Sequence, residues 1–400
     1  MSVIFVHPYK HHSYHTLIGI KESSKDVEAL YGYYDKGDIL DCIIKGSKYR
    51  KKIKGYRNDK ISNITTTNFR IKLFYLWHKI NPEKNYDIFI DNFEKWAINY
   101  VKYSNIVHVF QDYCNLVIRE AYENNKIIVY EEIQPPYLIQ KEVLNNEIYK
   151  WGYSKEYVEN RFPEKKINEE IENLNMASII IVASEATENA VKKIVPNKNI
   201  YRIPYGAKIG VNHINRYKCV REEKEINDKL KVLYIGSLNL IKGVQYIIEA
   251  AKRMRNENVE FTFVGLPRFE EDKKLVIEIN SLANAKYIPS IPHSEINNIY
   301  LKNDVFIFQG LCEGFGMVTL EAMSCGMPCI VSEGAKGIIT NGVDGFINNN
   351  GDVEKIIENI KKLSNDREML REMSKNAFHN IESYPWERYE NEISEIYKLL

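Results

Sequence analysis

The chain has 400 residues, which suggests two or three domains, each long enough to bury a sizeable core. Its formal net charge of +1 gives no overall signal for nucleic acid or another polyanion as a partner. The apolar N-terminus is too short for a signal peptide and no later run reaches the roughly 20 apolar residues of a membrane helix, so we expect a cytoplasmic protein.

The loop after the first predicted strand, residues 2–6, carries four histidines: His7, His11, His12 and His15. No carboxylate or cysteine accompanies them, and none of the six cysteines forms a C-x-x-C pair. We therefore predict neither a metal cluster nor a structural zinc site. Ligands of open α/β sheets bind beyond the carboxyl ends of strands, which predicts that this loop lines a cleft.

A basic stretch runs from Lys45 to Lys60, with eight basic residues against one acid and a local charge of +7. One interpretation is a solvated loop. The other is a patch that contacts the headgroups of an anionic membrane. Nucleic acid fits less well, because the neighbouring sequence contains no known binding module.

Apolar runs of strand length recur through the first half of the chain and predict buried strands at residues 87–90, 106–110, 126–130 and 176–184. Glu131 and Glu132 follow the third of these runs, before a Pro-Pro turn. Either carboxylate reaches the cleft, or both are ordinary loop charges. From Lys208 to Lys229 the sequence is mostly polar and suits a linker, so we place the domain boundary after residue 207.

The most informative stretch, Gly310 to Gly326, reads G-L-C-E-G-F-G-M-V-T-L-E-A-M-S-C-G. Apolar runs at residues 304–308 and 328–332 flank it, and residues 317–325 contain good helix formers and no proline. This pattern predicts a strand, a glycine-bearing turn, a helix and a second strand, which is one βαβ unit of a parallel sheet.

The turn in this unit carries the chemistry. Gly314 and Gly316 let the backbone approach a ligand, and the helix beginning near Met317 offers unpaired N–H groups and a positive dipole end to a phosphate. Carboxylates repel phosphate, so Glu313 and Glu321 are expected to bind hydroxyl groups, as on a ribose and a sugar. The combination fits a sugar nucleotide; the alternative is a plain βα turn with two surface glutamates.

The segment E-G-F-G-M-V-T-L-E-A-M-S-C-G-M-P-C-I-V-S resembles the E-x7-E donor motif of retaining glycosyltransferases with the GT-B fold, specifically family 4 (group 1). The resemblance implies that Glu313 meets the transferred sugar and Glu321 the nucleotide ribose. It also implies that the backbone of Gly314, Phe315 and Gly316 contacts the diphosphate and sugar, at the helix start near Met317.

A second element, from Gly236 to Gly243, resembles the family's G-R-L-x-x-x-K-G motif, in which an arginine and a lysine neutralise the donor diphosphate. Lys242 matches the lysine and is the second predicted catalytic residue, whereas Ser237 stands where arginine is usual. Read alone, Lys242 could be a surface lysine, but its spacing from Gly236 and Gly243 favours a functional role. By the same resemblance Ile288 lies near the nucleobase.

The resemblance covers the chain from about residue 177 onward, and the earlier part matches in pattern only. In this family that half selects the acceptor, and a histidine often faces the sugar where Glu131 and Glu132 stand. These two residues and His11 are therefore the acceptor-side candidates. The loop after the first strand lacks the glycine-rich turn that family members often have.

The resemblance implies two doubly wound Rossmann-like α/β domains around a cleft: residues 1–207 on the acceptor side, 208–380 on the donor side, and 381–400 as a helix crossing back to the first domain. The expected function is transfer of a sugar from a nucleotide-sugar to a glycan, lipid-linked or protein acceptor, without cofactor or metal. A GT-B sugar-nucleotide epimerase and a non-catalytic carbohydrate-binding protein remain alternatives. A nicotinamide-dependent oxidoreductase should show G-x-G-x-x-G near a first strand, which is missing here.

Overall fold

The computed structural model describes residues 1–10, 12–46, 56–207, 229–292 and 295–400. Within these ranges the chain forms two sheets, and every strand pairing between named strands is parallel. Parallel neighbours need a crossover between them, and helices supply most of these crossovers. The arrangement confirms the predicted α/β class with two doubly wound units.

The first sheet has the strand order β3-β2-β1-β4-β5-β6-β7. Its strands are β1 (Ser2–His7), β2 (Asp26–Tyr31), β3 (Thr65–Thr66), β4 (Ile106–Phe110), β5 (Ile127–Glu132), β6 (Ile179–Val182) and β7 (Asn199–Arg202). The helices that connect them are α1 (Ser13–Glu22), α2 (Ile39–Lys45), α3 (Phe69–Ile80), α4 (Pro82–Val101), α5 (Asn115–Glu123), α6 (Tyr137–Trp151), α7 (Lys155–Arg161), α8 (Glu164–Met176) and α9 (Glu185–Ile194).

The second sheet has the strand order β10-β9-β8-β11-β12-β13. Its strands are β8 (Leu230–Ile235), β9 (Val259–Val264), β10 (Ala285–Ile288), β11 (Val305–Phe308), β12 (Cys329–Ser332) and β13 (Gly345–Asn348). The helices of this half are α10 (Val244–Arg253), α11 (Lys273–Ser281), α12 (Ile296–Lys302), α13 (Met317–Ser324), α14 (Val353–Asn365) and α15 (Arg367–Glu382), followed by α16 (Trp386–Leu399).

The strand order of the second sheet reverses between β8 and β11, which are hydrogen-bonded neighbours although far apart in sequence. In open α/β sheets a ligand crevice forms at such a reversal, beyond the carboxyl ends of the two strands. The loops that leave β8 and β11 are the two loops that carry the predicted donor residues. The first sheet has the equivalent reversal between β1 and β4.

Helix α16 lies against α1 of the first half. Thr16 and Tyr389 share a hydrogen bond of 2.8 Å, and the rings of His15 and Trp386 stack with their centroids 4.0 Å apart. Gly19 is needed where the helices cross, because a Cβ there would lie 2.4 Å from the Glu390 carbonyl oxygen. The predicted boundary after residue 207 falls beside residues 208–228, which lie outside the described residues, so the domain limits stay a prediction.

One predicted strand is wrong. Residues 87–90 belong to α4, which begins at Pro82 and runs for 20 residues. Phe89, Phe93, Ala97 and Val101 are fully buried, and their spacing of four is that of one helix face. The short apolar run therefore contributes a side chain to a longer helical stripe, while its neighbour Ile88 is 44% exposed.

Within the described residues, no helix combines the length and the apolar character that crossing a membrane requires.

Replacing Phe89 with alanine should leave a cavity in the core of the first half. Because Phe89 is fully buried, we expect a loss of unfolding free energy of about 3–5 kcal/mol. Ile88→Ala is the matched control and should cost under about 1 kcal/mol, since its side chain is 44% exposed. Urea unfolding followed by circular dichroism measures both values. A larger loss for Ile88→Ala than for Phe89→Ala would contradict the helical assignment.

Candidate active site

The turn between β11 and α13 is built by glycines. Gly316 precedes the helix with φ +79°, in the left-handed region that favours glycine. Thr319 closes the first turn, since its backbone N–H and its hydroxyl both bond to the Gly316 carbonyl oxygen at 2.8 and 2.5 Å. The exposed Met317 is the first residue of α13. Because N–H groups point toward the N-terminal end of a helix and the first ones have no partner within it, those of α13 are directed toward the turn.

The same turn touches the first half of the chain. A Cβ on Gly314 would lie 2.1 Å from the carbonyl oxygen of Ile133, which follows β5. The Thr187 hydroxyl of α9 donates to the Gly314 carbonyl oxygen at 3.2 Å. Phe315 is buried, and its ring meets the ring of Tyr205 edge-on at 5.3 Å. The carboxyl edges of the two sheets therefore face each other across this turn.

Lys242 and Glu313 form an ion pair between the two loops at the strand-order reversal. Lys242 ends a short 3₁₀ turn whose Asn239 cap accepts from the Lys242 N–H at 3.1 Å. Gly243 follows at φ +69° and packs so closely that a Cβ would meet the Gln309 carbonyl oxygen at 1.8 Å. The two side chains are 28% and 15% exposed, so the pair is reachable from the cleft.

Backbone contacts hold these two loops in register. The Leu311 N–H donates to the Ile241 carbonyl oxygen at 2.9 Å, and the Glu313 N–H donates to the Gly334 carbonyl oxygen at 3.0 Å. The first bond joins the two loops directly, and the second ties the β11 loop to the segment after β12, so the backbone around the Lys242–Glu313 pair is anchored.

Glu321 lies on the second turn of α13 and accepts a hydrogen bond of 2.9 Å from the Tyr300 hydroxyl. Tyr300 is fully buried, and burial together with the charge of Glu321 holds the pKa of Tyr300 well above its ordinary value. A neutral tyrosine is a reliable donor, so it fixes one carboxylate oxygen of Glu321. The carboxylate is then oriented in advance for a second donor, such as a hydroxyl group.

The remaining donor-side candidates lie at the carboxyl edge of the second sheet. The Gly236 N–H donates to the Val264 carbonyl oxygen at 3.0 Å, and the exposed Ser237 presents its carbonyl oxygen to the Tyr234 hydroxyl at 2.8 Å. Ile288 is half-buried at the end of β10, where its carbonyl oxygen accepts from the Gly265 N–H at 3.0 Å. Each candidate is thus near the edge predicted for a nucleotide.

The acceptor-side candidates have a different placement. His11 lies outside the described residues. Glu131 and Glu132 are the last residues of β5, not loop residues, and both are buried, with relative exposures of 1% and 0%. A buried carboxylate needs hydrogen-bond or charged partners, and each of these two has buried partners from distant parts of the chain. The strand can therefore include both residues.

Glu131 is surrounded by donors. His12 Nε2 lies 2.5 Å from its carboxylate, and the Tyr389 hydroxyl of α16 donates at 3.1 Å. Burial alone would raise the pKa of Glu131, but the charges and hydrogen bonds of His12 and His108 hold it well below its ordinary value. The residue predicted from this loop is His11. The residue that contacts Glu131 is its neighbour His12, and the four-histidine pattern is the only sequence signal that points to it.

Glu132 faces another carboxyl group, Glu170 of α8. The Gln111 side-chain amide donates to both, at 2.9 and 2.6 Å, and the Tyr137 N–H donates to Glu170 at 2.6 Å. Burial, and then the neighbouring charge of Glu170, raises the pKa of Glu132; burial raises that of Glu170 to about 8. The pair therefore keeps a proton at neutral pH. Neither Gln111 nor Glu170 carried a sequence signal.

Two further predictions concern the basic stretch and metal binding. Of the basic stretch from Lys45 to Lys60, residues 47–55 lie outside the described residues. Among the residues that are described, no group of three or more His, Cys, Asp and Glu side chains is arranged to hold a metal ion.

Comparison with known families gives one domain-level match. Residues 218–380 match the family model described as glycosyl transferases group 1. This range contains the two loops, Lys242, Glu313 and Glu321.

Curated relatives match part of their length. The chain is 31% identical over 153 residues to an Escherichia coli UDP-Gal:alpha-D-GlcNAc-diphosphoundecaprenol alpha-1,3-galactosyltransferase, covering 37% of this chain and 39% of the relative. It is 26% identical over 220 residues to the Staphylococcus aureus capsular polysaccharide biosynthesis glycosyltransferase CapM, covering 52% of this chain and 57% of the relative. The chain thus spans about three fifths or less of these relatives.

Solved structures match over the whole chain. The Anabaena protein HepE, in complex with UDP and glucose, superposes with a TM-score of 0.65 at 17% identity, covering 100% of both chains. A sucrose-phosphate synthase from Thermosynechococcus elongatus gives a TM-score of 0.66 at 14% identity, covering 100% of this chain and 98% of its own. At such identities the likeness concerns the fold, and it confirms the predicted GT-B architecture.

The carboxyl pair of Glu132 and Glu170 should make stability depend on pH. In the folded chain the pair keeps a proton up to about pH 8. In the unfolded chain a glutamate loses its proton above its ordinary pKa of 4.5. Folding then takes up a proton in that window, so the free energy of unfolding should fall as pH rises from about 4.5 to about 8, by up to about 1.4 kcal/mol per unit.

Glu132→Gln replaces the carboxyl group by an amide that needs no proton, so its unfolding free energy should depend less on pH between about 5.5 and 7.5. Urea unfolding at several pH values measures this. Glu172→Gln, on the same helix as Glu170 but 56% exposed, is the control and should keep the wild-type pH dependence. An unchanged dependence in Glu132→Gln would contradict the shared proton.

Proposed function

We propose that the chain is a retaining glycosyltransferase that moves a sugar from a nucleotide-sugar donor to a glycan, a lipid-linked or a protein acceptor. The observation that carries the proposal is the Lys242–Glu313 ion pair beside the N-terminus of α13. A cation, a helix N-terminus and two carboxylates meet at the ligand crevice of the second sheet. That set suits the diphosphate and the hydroxyl groups of a nucleotide-sugar together.

The donor would lie along the carboxyl edge of the second sheet. The N–H groups at the start of α13 and the ammonium group of Lys242 would bind the diphosphate. Glu321, held by Tyr300, would accept from the ribose hydroxyls, and Ile288 would lie by the base. Ser237 brings no charge to this site, so Lys242 is the one cation of the β8 loop, residues 236–243, that would face the diphosphate.

Catalysis would follow from exchange of partners at the ion pair. Without donor, Lys242 neutralises Glu313. With donor bound, Lys242 would turn to the diphosphate and Glu313 to a hydroxyl of the sugar. As the bond between the anomeric carbon and the diphosphate oxygen breaks, negative charge grows on that oxygen. A nearby ammonium group gains most from that growth, so it stabilises the transition state more than the ground state.

The nucleotide-sugar is a substrate, and the mechanism proposed for Lys242, Glu313 and Glu321 requires no cofactor. For the acceptor, the proposal rests on the relatives: the E. coli protein is named for a diphosphoundecaprenol-linked sugar and the S. aureus protein for capsular polysaccharide. We propose a growing glycan, free or lipid-linked, ahead of a protein. The acceptor would enter from the first half, opposite the turn at Gly314.

Two other functions make different predictions. A sugar-nucleotide epimerase would release free nucleotide and an altered sugar without any acceptor. A carbohydrate-binding protein would bind a sugar without releasing nucleotide. The transferase names of the relatives and of the matched family model support the transferase over both. Proton NMR of the anomeric centre in the product tests retention: an α-linked donor should give an α-linked product.

Lys242→Ala should lower turnover at least about tenfold, which corresponds to about 1.4 kcal/mol in the activation barrier. Donor affinity should fall less, because the N-terminus of α13 still binds the diphosphate. Nucleoside diphosphate release, with acceptor or as slow donor hydrolysis, measures turnover. Lys252→Ala, an exposed lysine on α10, is the control. A full rate in Lys242→Ala would remove this lysine from the mechanism.

The two glutamates should respond differently. Glu321→Ala should weaken donor binding roughly ten- to a hundredfold, because the ribose hydroxyls lose a charged hydrogen-bond partner worth about 1–3 kcal/mol. Glu313→Ala should mainly lower turnover. Titration calorimetry with the donor and the release assay separate the two effects. Wild-type affinity and rate in both variants would show that the motif does not bind the donor.

A further inference from the structure

Helix α3 has an apolar face turned to solvent. Phe69, Leu73, Trp77 and Ile80 are 61%, 44%, 43% and 59% exposed, and their spacing places them on one side of the helix. We call these four residues the α3 stripe. From Phe69 to Ile80 the stripe spans 12 residues and is about 17 Å long at a rise of about 1.5 Å per residue.

The opposite face of α3 is fully used by the core. Ile71 and Tyr75 are buried there, and the helix is capped by Asn68, whose side chain accepts from two backbone N–H groups. The fold therefore presents the stripe on a helix whose other face is packed against the core. Scattered exposed apolar residues are normal, but a contiguous stripe with tryptophan marks an interaction surface.

Helix α2 carries a second pair of exposed apolar residues. Ile39 and Ile43 are 80% and 64% exposed and lie one turn apart. The two helices are tied together, since the buried ammonium group of Lys72 on α3 lies 2.7 Å from Asp38 and 3.0 Å from Asp41 at the start of α2. Helix α2 is thus anchored to the helix that carries the stripe.

The sequence around α3 is strongly basic. Arg70 lines a groove with Leu73, Phe74 and Trp77, and its side chain has no ion-pair partner in the described part of the chain. From Lys36 to Lys84 the sequence contains thirteen Lys or Arg and four Asp or Glu, a local charge of +9 in a chain whose total is +1. The rest of the chain is therefore acidic.

We propose that the α3 stripe docks on the surface of an anionic lipid bilayer. Aromatic and aliphatic side chains on one helix face, next to basic residues, are what an interfacial membrane helix requires. A second copy of the chain is a poorer occupant, because a symmetric dimer through this face would bring two strongly basic regions together. The proposal concerns where the chain works and does not depend on the proposed reaction.

Vesicle co-sedimentation of the full chain tests the proposal. The chain should bind vesicles of phosphatidylcholine with phosphatidylglycerol, and bind vesicles of phosphatidylcholine alone much less. Leu73→Gln/Trp77→Gln should weaken binding roughly tenfold or more, because the variant lacks two apolar side chains that the wild type would bury in the bilayer. Leu116→Gln/Tyr122→Gln on α5, an exposed leucine and aromatic elsewhere, is the matched control and should bind like wild type.

Two further readouts locate the contact. Lipids with brominated chains should quench wild-type tryptophan fluorescence, and Trp77→Phe should lose most of that quenching. Arg70→Glu should weaken binding at low salt more than at high salt. Equal binding by the stripe variant and the control, or no binding by wild type, would overturn the proposal. Dimeric wild type with a monomeric stripe variant, in sedimentation without vesicles, would assign the surface to self-association instead.

Discussion

The ion pair of Lys242 and Glu313 joins the two loops that leave β8 and β11, and the site is arranged around it. These loops meet because their strands are neighbours at the reversal in the sheet order. The Leu311 to Ile241 hydrogen bond and the close approach of Gly243 to Gln309 then fix their separation. A ligand that displaces the pair would have to offer a negatively charged group to Lys242 and a hydroxyl group to Glu313, as the proposed nucleotide-sugar would.

Two buried carboxylate clusters in the first half show how the opposite edge of the cleft is stabilised. Glu131 is kept ionised by His12 and His108, whereas Glu132 shares a proton with Glu170. Adjacent residues of one strand point to opposite faces, so the two side chains enter different environments and acquire opposite pKa shifts. Ile133, the next residue, is the one whose carbonyl oxygen packs against Gly314. The strand end that meets the turn at Gly314 is thus held by an ion-paired carboxylate on one face and by a proton-sharing carboxyl pair on the other.

Local patterns predicted the elements around the site, because the βαβ unit and the βα turns are encoded by nearby residues. The strand before Gly310, the helix starting at Met317 and the helix of residues 244–253 all form as expected. The error at residues 87–90 arose because three consecutive apolar residues, Ile88 to Ile90, fit a strand, while the helical stripe becomes visible only over residues 85–101.

Pairings between distant residues could not be predicted. Sequence separation is 71 residues for Lys242 and Glu313, 119 for His12 and Glu131, and 21 for Tyr300 and Glu321. Whether Glu131 and Glu132 are loop charges or buried strand residues depends on such partners, and no local pattern contains them. The family resemblance chose Lys242 and Glu313 as residues of one site, but not the ion pair that joins them.

The central claim is that the loops after β8 and β11 form one nucleotide-sugar site. Hydrogen–deuterium exchange of the full chain, with and without UDP-glucose and with GDP-mannose as a second donor, tests it most directly. For the donor that binds, the account predicts slower exchange in the peptides covering residues 236–243 and 310–321, with little change on α3. Protection confined to other segments, in a chain that binds the donor, would contradict it.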